Sequence, residues 1–428
     1  MNENKVIKNK KTKRVTGRRM ILLSFLLIPL FAYLYIISLH SHNLINSTLS
    51  IIMLILTIIS IAILIIGIYL IFKNKQEKVT KKLKTWVKVM IGTFFTGYLG
   101  LSTLVMVLLY GPNNGFRDWL VTTAMMTMNH QYLAEWFYDD ATIKAILNSN
   151  TVVESGENTN PDLVEIGGGD TNQTVYANEY EEAVLKKDEG NELYKIIDIN
   201  YKNFKGKMAV IYDPSKVKLA TSKGTGNELS TSYGQYITTM SKQNNAVIAI
   251  NAGGFYDPDW NSSGGVPHGV VISNGKLVAN NKRAVSVGGI IGFNKENKLV
   301  LAKMSATEAM NAGIRDAVDF GPFLIVNGES SFINGNGGWG KSPRTAIAQR
   351  KDGIVLLLVI DGRQTASAGA DMNDLVEVLL NYGAYNAANL DGGTSSAMAL
   401  KGEIITNPRN GNFQAKTRAV PNAWILTE

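Results

Sequence analysis

The chain has 428 residues, no cysteine and a formal net charge of +8. That length allows two domains or one domain with a large appendage, and the lack of cysteine excludes disulfides and thiolate metal sites and suits an exported domain. The basic excess is local, with residues 1–110 carrying +13 and the remainder −5, so an electrostatic nucleic-acid footprint is not supported.

A basic arm over residues 1–19 leads into three apolar runs, 20–39, 49–72 and 89–110. Each is about as long as a helix needs to cross ~30 Å of hydrocarbon. The third contains Gly92, Gly97 and Gly100 but no charge. The first is too long for a signal-peptide core, has no A-x-A-like site after it and is followed by two more spans. Lys and Arg concentrate in the arm and in the loop 73–88, whereas the loop 40–48 has neither. Positive-inside then places the arm and the second loop in the cytoplasm and leaves residue 111 onward outside the cell membrane. The bilayer is the first expected partner.

Residues 119–138 read as one aromatic- and methionine-rich helix, either juxtamembrane or docked on the distal domain. The stretch 150–176 is poor in apolar residues and rich in Asn, Thr, Glu and Gly, which predicts a flexible tether. A short helix is expected over 179–187. From about residue 192 the pattern changes to short strands. These are 194–201, a hairpin of 207–212 with 216–220, a buried strand 246–250 after a helix over 233–243, and a hairpin 270–277 around Asn274-Gly275. Further strands fall at 286–293, 298–304, within 317–328, at 342–348 and at 421–426, with a helical turn at 307–311.

The strongest local pattern runs from 353 to 400. An apolar, β-branched run ends at Asp361-Gly362, and a helix follows, with Asp371 as N-cap and Asp374 in its first turn. Gly383 is a usual residue just past a helix end, and a second buried strand finishes at Asp391-Gly392. Strand, helix, strand with short connections is a βαβ unit with parallel strands. Both Asp-Gly pairs then fall on one sheet edge, where ligand crevices form, although Asp-Gly is also ordinary turn chemistry. The expected fold is α+β: a mixed β-sheet catalytic domain with a βαβ unit near its C-terminus, preceded by three transmembrane helices. The expected divisions are 1–19, 20–110, 111–190 and 191–428.

Four apolar strands end in polar, glycine-rich loops: residues 251–257, 342–346, 361–363 and 391–396. Glycine there allows positive φ and close approach of a ligand to successive backbone N–H groups, which make an anion nest. Arg344 and Arg363 suit bidentate phosphate contacts, with Ser395 and Ser396 as hydroxyl donors. Alone, each loop is turn chemistry; together they indicate a site for an anionic ligand. His268 is the single histidine after residue 190, which argues against a multi-histidine zinc site and leaves it as a structural residue or an acid–base group. Asp257 and Asp259 either cap a turn or hold a divalent cation, Ca²⁺ or Mg²⁺.

In this order the segments NAGGFYDP, HGVVISNGKL, GPFLIVNG, SPRTAIA, VIDGRQ and NLDGGTSSAM resemble the phosphodiester glycosidase family, the N-acetylglucosamine-1-phosphodiester α-N-acetylglucosaminidase-like enzymes. The resemblance covers about residues 192–428, and the membrane part resembles that of anchored bacterial members. One departure is Thr394, where many relatives have a third glycine. The resemblance implies hydrolysis of a sugar-1-phosphate diester to free sugar and a phosphomonoester, on a cell-envelope glycopolymer or exopolysaccharide. It implies Asp391 as nucleophile or base, Asp361 as its partner or a metal ligand, and His268 as proton donor. Arg344 and Arg363 would hold the phosphate. Asn251, Gly253, Gly254, Gly392 and Gly393 would shape the sugar pocket, with Phe255, Thr345, Ser395 and Ser396 as further substrate-binding residues. Two alternatives stay open: a cation-dependent phosphodiesterase that breaks the P–O bond, and a non-catalytic module that binds anionic wall or capsule polymer.

Overall fold

The computed structural model describes residues 3–40, 47–73, 85–127, 130–167, 175–258, 262–281 and 288–428. The chain divides into two compact units, residues 1–124 with 131–147 and residues 125–130 with 148–428.

The first unit contains α1 (Glu3–His40), α2 (Ser47–Lys73) and α3 (Thr85–Tyr110). Within them Thr12–Ile36, Ile51–Lys73 and Gly92–Tyr110 are long and apolar enough to cross a membrane. The first two helices cross closely at a pair of glycines: a Cβ on Gly17 would lie 2.7 Å from the Gly67 carbonyl oxygen, the backbone approach that small residues permit. The loops at 41–46 and 74–84, which carry the orientation reading, lie outside the described residues. The single helix expected over 119–138 is instead α4 (Asn114–Met125) and α5 (Tyr132–Glu135), followed by α6 (Asp140–Ser149). Thr122, Thr123 and Thr127 are weak helix formers, and Tyr138 leaves the helical path to donate from its hydroxyl to the Leu109 carbonyl at 2.8 Å.

The second unit is built on three large antiparallel sheets. One has the order β7 (Lys276–Asn281), β6 (Gly269–Ser273), β10 (Ile314–Phe320), β8 (Gly289–Asn294), β9 (Leu299–Ala302). The widest has β12 (Glu329–Ser330), β11 (Phe323–Val326), β16 (Ala384–Leu390), β14 (Arg344–Arg350), β15 (Val355–Ile360), β3 (Phe204–Ile211), β2 (Tyr194–Tyr201). The third has β18 (Glu403–Ile404), β17 (Met398–Leu400), β5 (Ala246–Asn251), β19 (Asn422–Thr427), β4 (Val217–Thr221). A small ribbon pairs β1 (Val152–Val153) with β13 (Phe332–Ile333). Strands β5 and β15 are buried at every residue, which is why they read as unbroken apolar runs rather than alternating ones.

Phe293, Phe323, Leu357, Leu390 and Trp424 from all three sheets meet in one core. The other face of the widest sheet is covered by α7 (Glu179–Leu185) and α10 (Met372–Asn381), whose Leu375, Val378 and Leu379 pack on Val210, Leu356 and Leu358. Each such aliphatic side chain contributes about 2 kcal/mol by leaving water. Two more helices, α8 (Ile237–Gln243) and α9 (Ala306–Asn311), cover the outer faces of the five-stranded sheets.

The α+β class stands, with apolar helices ahead of a sheet-rich domain. The βαβ unit is split: β15 and β16 run in the same direction, but β14 lies between them, antiparallel to both. A ten-residue helix is about 15 Å long, enough to cross two strand spacings of ~4.8 Å. The split puts Arg344, the first residue of β14, between the ends of the two Asp-Gly strands. Local signals hold: Asp371 and Asp374 form a reciprocal capping box, Gly383 sits at φ +79, and Asn274 and Gly275 turn at φ +50 and +68.

Two expectations are corrected, and a third, the strand ending at Asn327-Gly328, is present but shares its stretch with a second strand. The run 207–212 does not hairpin with 216–220: β3 pairs with β2, and β4 with β19. Asp213 accepts from the Ser215 amide at 2.9 Å and starts a short 3-10 turn that carries the chain to another sheet. The stretch 317–328 is two strands in two sheets, divided at Gly321-Pro322, where proline has no N–H to continue a ladder. Residues 150–167 are not a free tether. Thr159 exchanges hydrogen bonds of 3.0 Å with the Leu301 backbone, and the Glu165 amide donates to Lys351 O at 2.9 Å. The rest of that stretch up to 174 lies outside the described residues.

Candidate active site

Strand order decides which loops meet. Strand β5 ends at Asn251, and β19 runs antiparallel beside it with Ala423 opposite Asn251. The segment ahead of β19, with Arg418, therefore arrives where the 252–258 loop begins. The loops after β15 and β16 and before β6 come to the same place. Together they enclose a cavity of about 470 Å³.

Asp391 stands in the wall of this cavity. Its backbone is fixed from two sides: the amide donates to Ala252 O at 3.0 Å, and its carbonyl accepts from Asn251 Nδ2 at 2.6 Å. Burial pushes its carboxyl up to about 6, against the pull of the Ser395 hydroxyl, Arg418 and the Gly392 amide, while Asp257 pushes the same way as burial. Asp257 also lines the cavity. Its Oδ2 accepts from Arg418 Nη2 at 2.6 Å and its Oδ1 from the Ser262 amide at 2.8 Å.

Arg344 and Arg363 line the same cavity, and neither has a carboxylate ion-pair partner among the described residues. Burial pushes both guanidinium groups down to about 10, and for Arg344 the nearby Arg363 adds to the effect while Asp371 opposes it. Their free donors differ. Arg344 gives Nε to Ala370 O (3.0 Å) and Nη2 to Trp339 O (2.5 Å) and Gly340 O (2.6 Å). It clamps the loop that carries Trp339 and keeps only Nη1 for a ligand. Arg363 gives Nη1 to Thr394 Oγ1 (3.1 Å) and Arg409 O (3.3 Å), which leaves Nε and Nη2. Arg363 itself is in the left-handed region at φ +59.

His268, Gly254, Phe255, Gly392, Gly393 and Ser395 reach the cavity as well. Gly254 is required by close approach, since a Cβ would lie 2.6 Å from Phe320 Cε2 and 3.2 Å from His268 Nδ1. Burial holds the His268 imidazole below its ordinary value, against Asp319 and a hydrogen bond with the Phe255 backbone. Asn251, Thr345 and Ser396 lie beneath the floor rather than in it. Thr345 Oγ1 donates to Asn251 Oδ1 at 2.8 Å and is 3.1 Å from Ser396 Oγ. Gly253 is also off the cavity, with its amide on Asn422 Oδ1 at 2.8 Å.

Asp361 is not brought together with Asp391 in the cavity. Its Oδ1 accepts from the Asn407 amide at 2.8 Å, and its carbonyl accepts from Ser367 Oγ at 2.6 Å. The carboxylate that stands near Asp391 is Asp257, which the sequence offers only as a turn cap or cation ligand. Asp259 lies outside the described residues. Among the described residues no group of three or more His, Asp or Glu converges as a metal site, and Asp257 is already engaged by Arg418. Sequence reasoning missed Arg418 and Trp339. The available signals were the terminal strand following Arg418 and the glycines around Trp339, of which Gly337, Gly338 and Gly340 all have positive φ.

Residues 244–427 match the family model of the phosphodiester glycosidases. This part of the chain is therefore similar to phosphodiester glycosidase domains, and it carries the cavity at a shared strand edge. It is similar to the SPbeta prophage-derived protein YomE of Bacillus subtilis, 30% identical over 195 residues, covering 44% of this chain and 29% of that protein. It is also similar to N-acetylglucosamine-1-phosphodiester α-N-acetylglucosaminidase. The bovine protein is 29% identical over 31% of this chain and 29% of its own length, and the human protein is 30% identical over 31% and 30%. The chain thus spans less than a third of the length of these curated relatives. Among solved structures, the zebrafish catalytic domain of that enzyme aligns with a TM-score of 0.47 at 23% identity, covering 56% of this chain and 86% of that one.

Proposed function

We propose that the protein hydrolyses the glycosidic bond of sugar-1-phosphate diesters, acting outside the cytoplasm on cell-envelope glycopolymers or exopolysaccharide. The observation that carries this reading is the sharing of one cavity by Asp391 and two buried guanidinium groups that have no carboxylate partner among the described residues. Such cations seek an anion, and a phosphodiester supplies one. The bovine and human relatives are named for a phosphodiester of N-acetylglucosamine, which makes that sugar the first to test.

In this reading the phosphate oxygens sit against Arg363 Nε and Nη2, with Arg344 Nη1 beside them. The sugar lies toward Phe255 and Trp339. As the anomeric C–O bond breaks, positive charge grows on the ring and Asp391 meets it, as nucleophile or through a water it deprotonates. The bond electrons go to a phosphomonoester, a weak base whose charge the arginines neutralise, so this leaving group needs little proton donation. His268, held toward the neutral form, fits a hydrogen-bonding role better than that of an acid. The basic arm and the 73–88 loop support a cytoplasmic N-terminus and an external domain by the positive-inside bias.

The full-length protein in detergent, incubated with UDP-N-acetylglucosamine and with methyl N-acetylglucosamine-1-phosphate, is expected to release free sugar. Release of sugar-1-phosphate, or binding of both with no product, contradicts the reading.

A further inference from the structure

One feature of the cavity wall belongs neither to the anion subsite nor to the reacting carboxylate. Arg418 lies face-on over the Phe255 ring, its central carbon 4.4 Å from the ring centre, and bonds Asp257 Oδ2 at 2.6 Å. Asp257 is pinned from the other side by the Ser262 amide at 2.8 Å. Both side chains are largely buried and both line the cavity with Asp391. A buried pair held by stacking, a backbone amide and mutual contact has one geometry. Removing one partner from such a pair strands the other charge.

We propose that Asp257 and Arg418 form a positioning pair for Asp391, holding one charge of each sign beside the reacting carboxylate. The inference rests on the hydrolytic reading above and adds to it two residues that touch neither bond nor phosphate. Other charged or hydrogen-bonding groups that line the cavity with Asp391 include Ser395 on its own loop, His268 ahead of β6, Arg344 at the start of β14 and Arg363 after β15. Arg418 favours the ionised carboxylate and Asp257 disfavours it. As an intact pair they act in opposite directions on the carboxyl, and burial is the largest influence on it. Loss of either one leaves a single uncompensated charge, and the two losses act in opposite directions.

The test is the pH dependence of kcat/KM from pH 4 to 9 with methyl N-acetylglucosamine-1-phosphate, using the full-length protein in detergent. Arg418→Met is expected to move the acid limb up by about one pH unit and Asp257→Asn to move it down by about one. The double variant is expected to return close to the wild-type midpoint. Shifts of both single variants in the same direction, or no shift in either, overturn the proposal. If Arg418→Met does not fold, Arg418→Lys keeps the charge without the ring contact: it should melt at a lower temperature with the midpoint unchanged, and Asp257→Asn alone must still move the limb down. A second readout needs no turnover. The difference in melting temperature between each variant and the same variant carrying Asp391→Asn, followed from pH 4 to 8, traces the Asp391 titration. Absent hydrolysis in the wild type with opposed shifts in this difference would sink the hydrolytic reading but leave the pair. Hydrolysis without opposed shifts would sink the pair alone.

Discussion

Arg363 Nη1 donates to Thr394 Oγ1 across 3.1 Å. The Thr394 hydroxyl orients the guanidinium that the proposed reading sets against the phosphate. Gly393 beside it has φ +62, and a Cβ there would lie 3.1 Å from Arg363 Nη2, so the loop is shaped around the arginine. Thr394→Gly is expected to raise KM about tenfold with kcat little changed, in line with loss of a hydrogen bond to a charged group. Thr394→Ser should keep the wild-type KM. Steady-state kinetics on both variants check this.

Asp391 should dominate the acid side of the pH–rate profile. In the proposed role as nucleophile or base it must be ionised, and burial raises its carboxyl to about 6. Activity is therefore expected to fall as the pH drops through about 6, with a slope of one proton.

The same burial predicts a stability effect of known sign. The folded value of about 6 lies above the ordinary carboxylate value of 3.8, so the folded state binds this proton more tightly than the unfolded chain does. Stability from this group is fully present below the unfolded value and is lost as the pH rises through the folded one. Asp391→Asn should then be more stable than wild type at pH 7 to 8 by on the order of 3 kcal/mol, a gain largely lost near pH 4. Denaturant titrations at the two pH values measure it.

These features differ in how well the sequence announced them. The α10 capping box and the Asn274-Gly275 turn are local chemistry, complete within a few residues, and both were legible. Arg363 was expected near Asp391 from matched strand ends and Arg344 from its own polar, glycine-rich loop; all three line one cavity despite the unforeseen insertion of β14, because that strand brings Arg344 itself to the edge. Asp361 was misplaced because direction along a strand does not say which neighbour a terminal side chain turns to, and here the Asn407 amide takes it. Arg418 was illegible because its approach depends on β19 pairing with β5, a contact across more than 170 residues that no local pattern reports.

Arg344 has a second duty that can be separated from ligand binding. Its Nε and Nη2 satisfy three carbonyls, of Ala370, Trp339 and Gly340. Arg344→Met leaves those acceptors without partners and should cost about 3 kcal/mol of stability. Arg363→Met, whose mapped partners are Thr394 Oγ1 and Arg409 O, should cost less stability and more substrate affinity. Chemical denaturation and KM measured side by side on the two variants distinguish the clamp from the phosphate ligand.

The central claim is that the bond broken lies between the anomeric carbon and oxygen, and hydrolysis in ¹⁸O-labelled water tests it most directly. With methyl N-acetylglucosamine-1-phosphate as substrate, mass spectrometry should find the heavy oxygen in the released sugar and none in methyl phosphate. Label in the phosphorus-containing product would mean that phosphorus is the atom attacked, and would contradict the account.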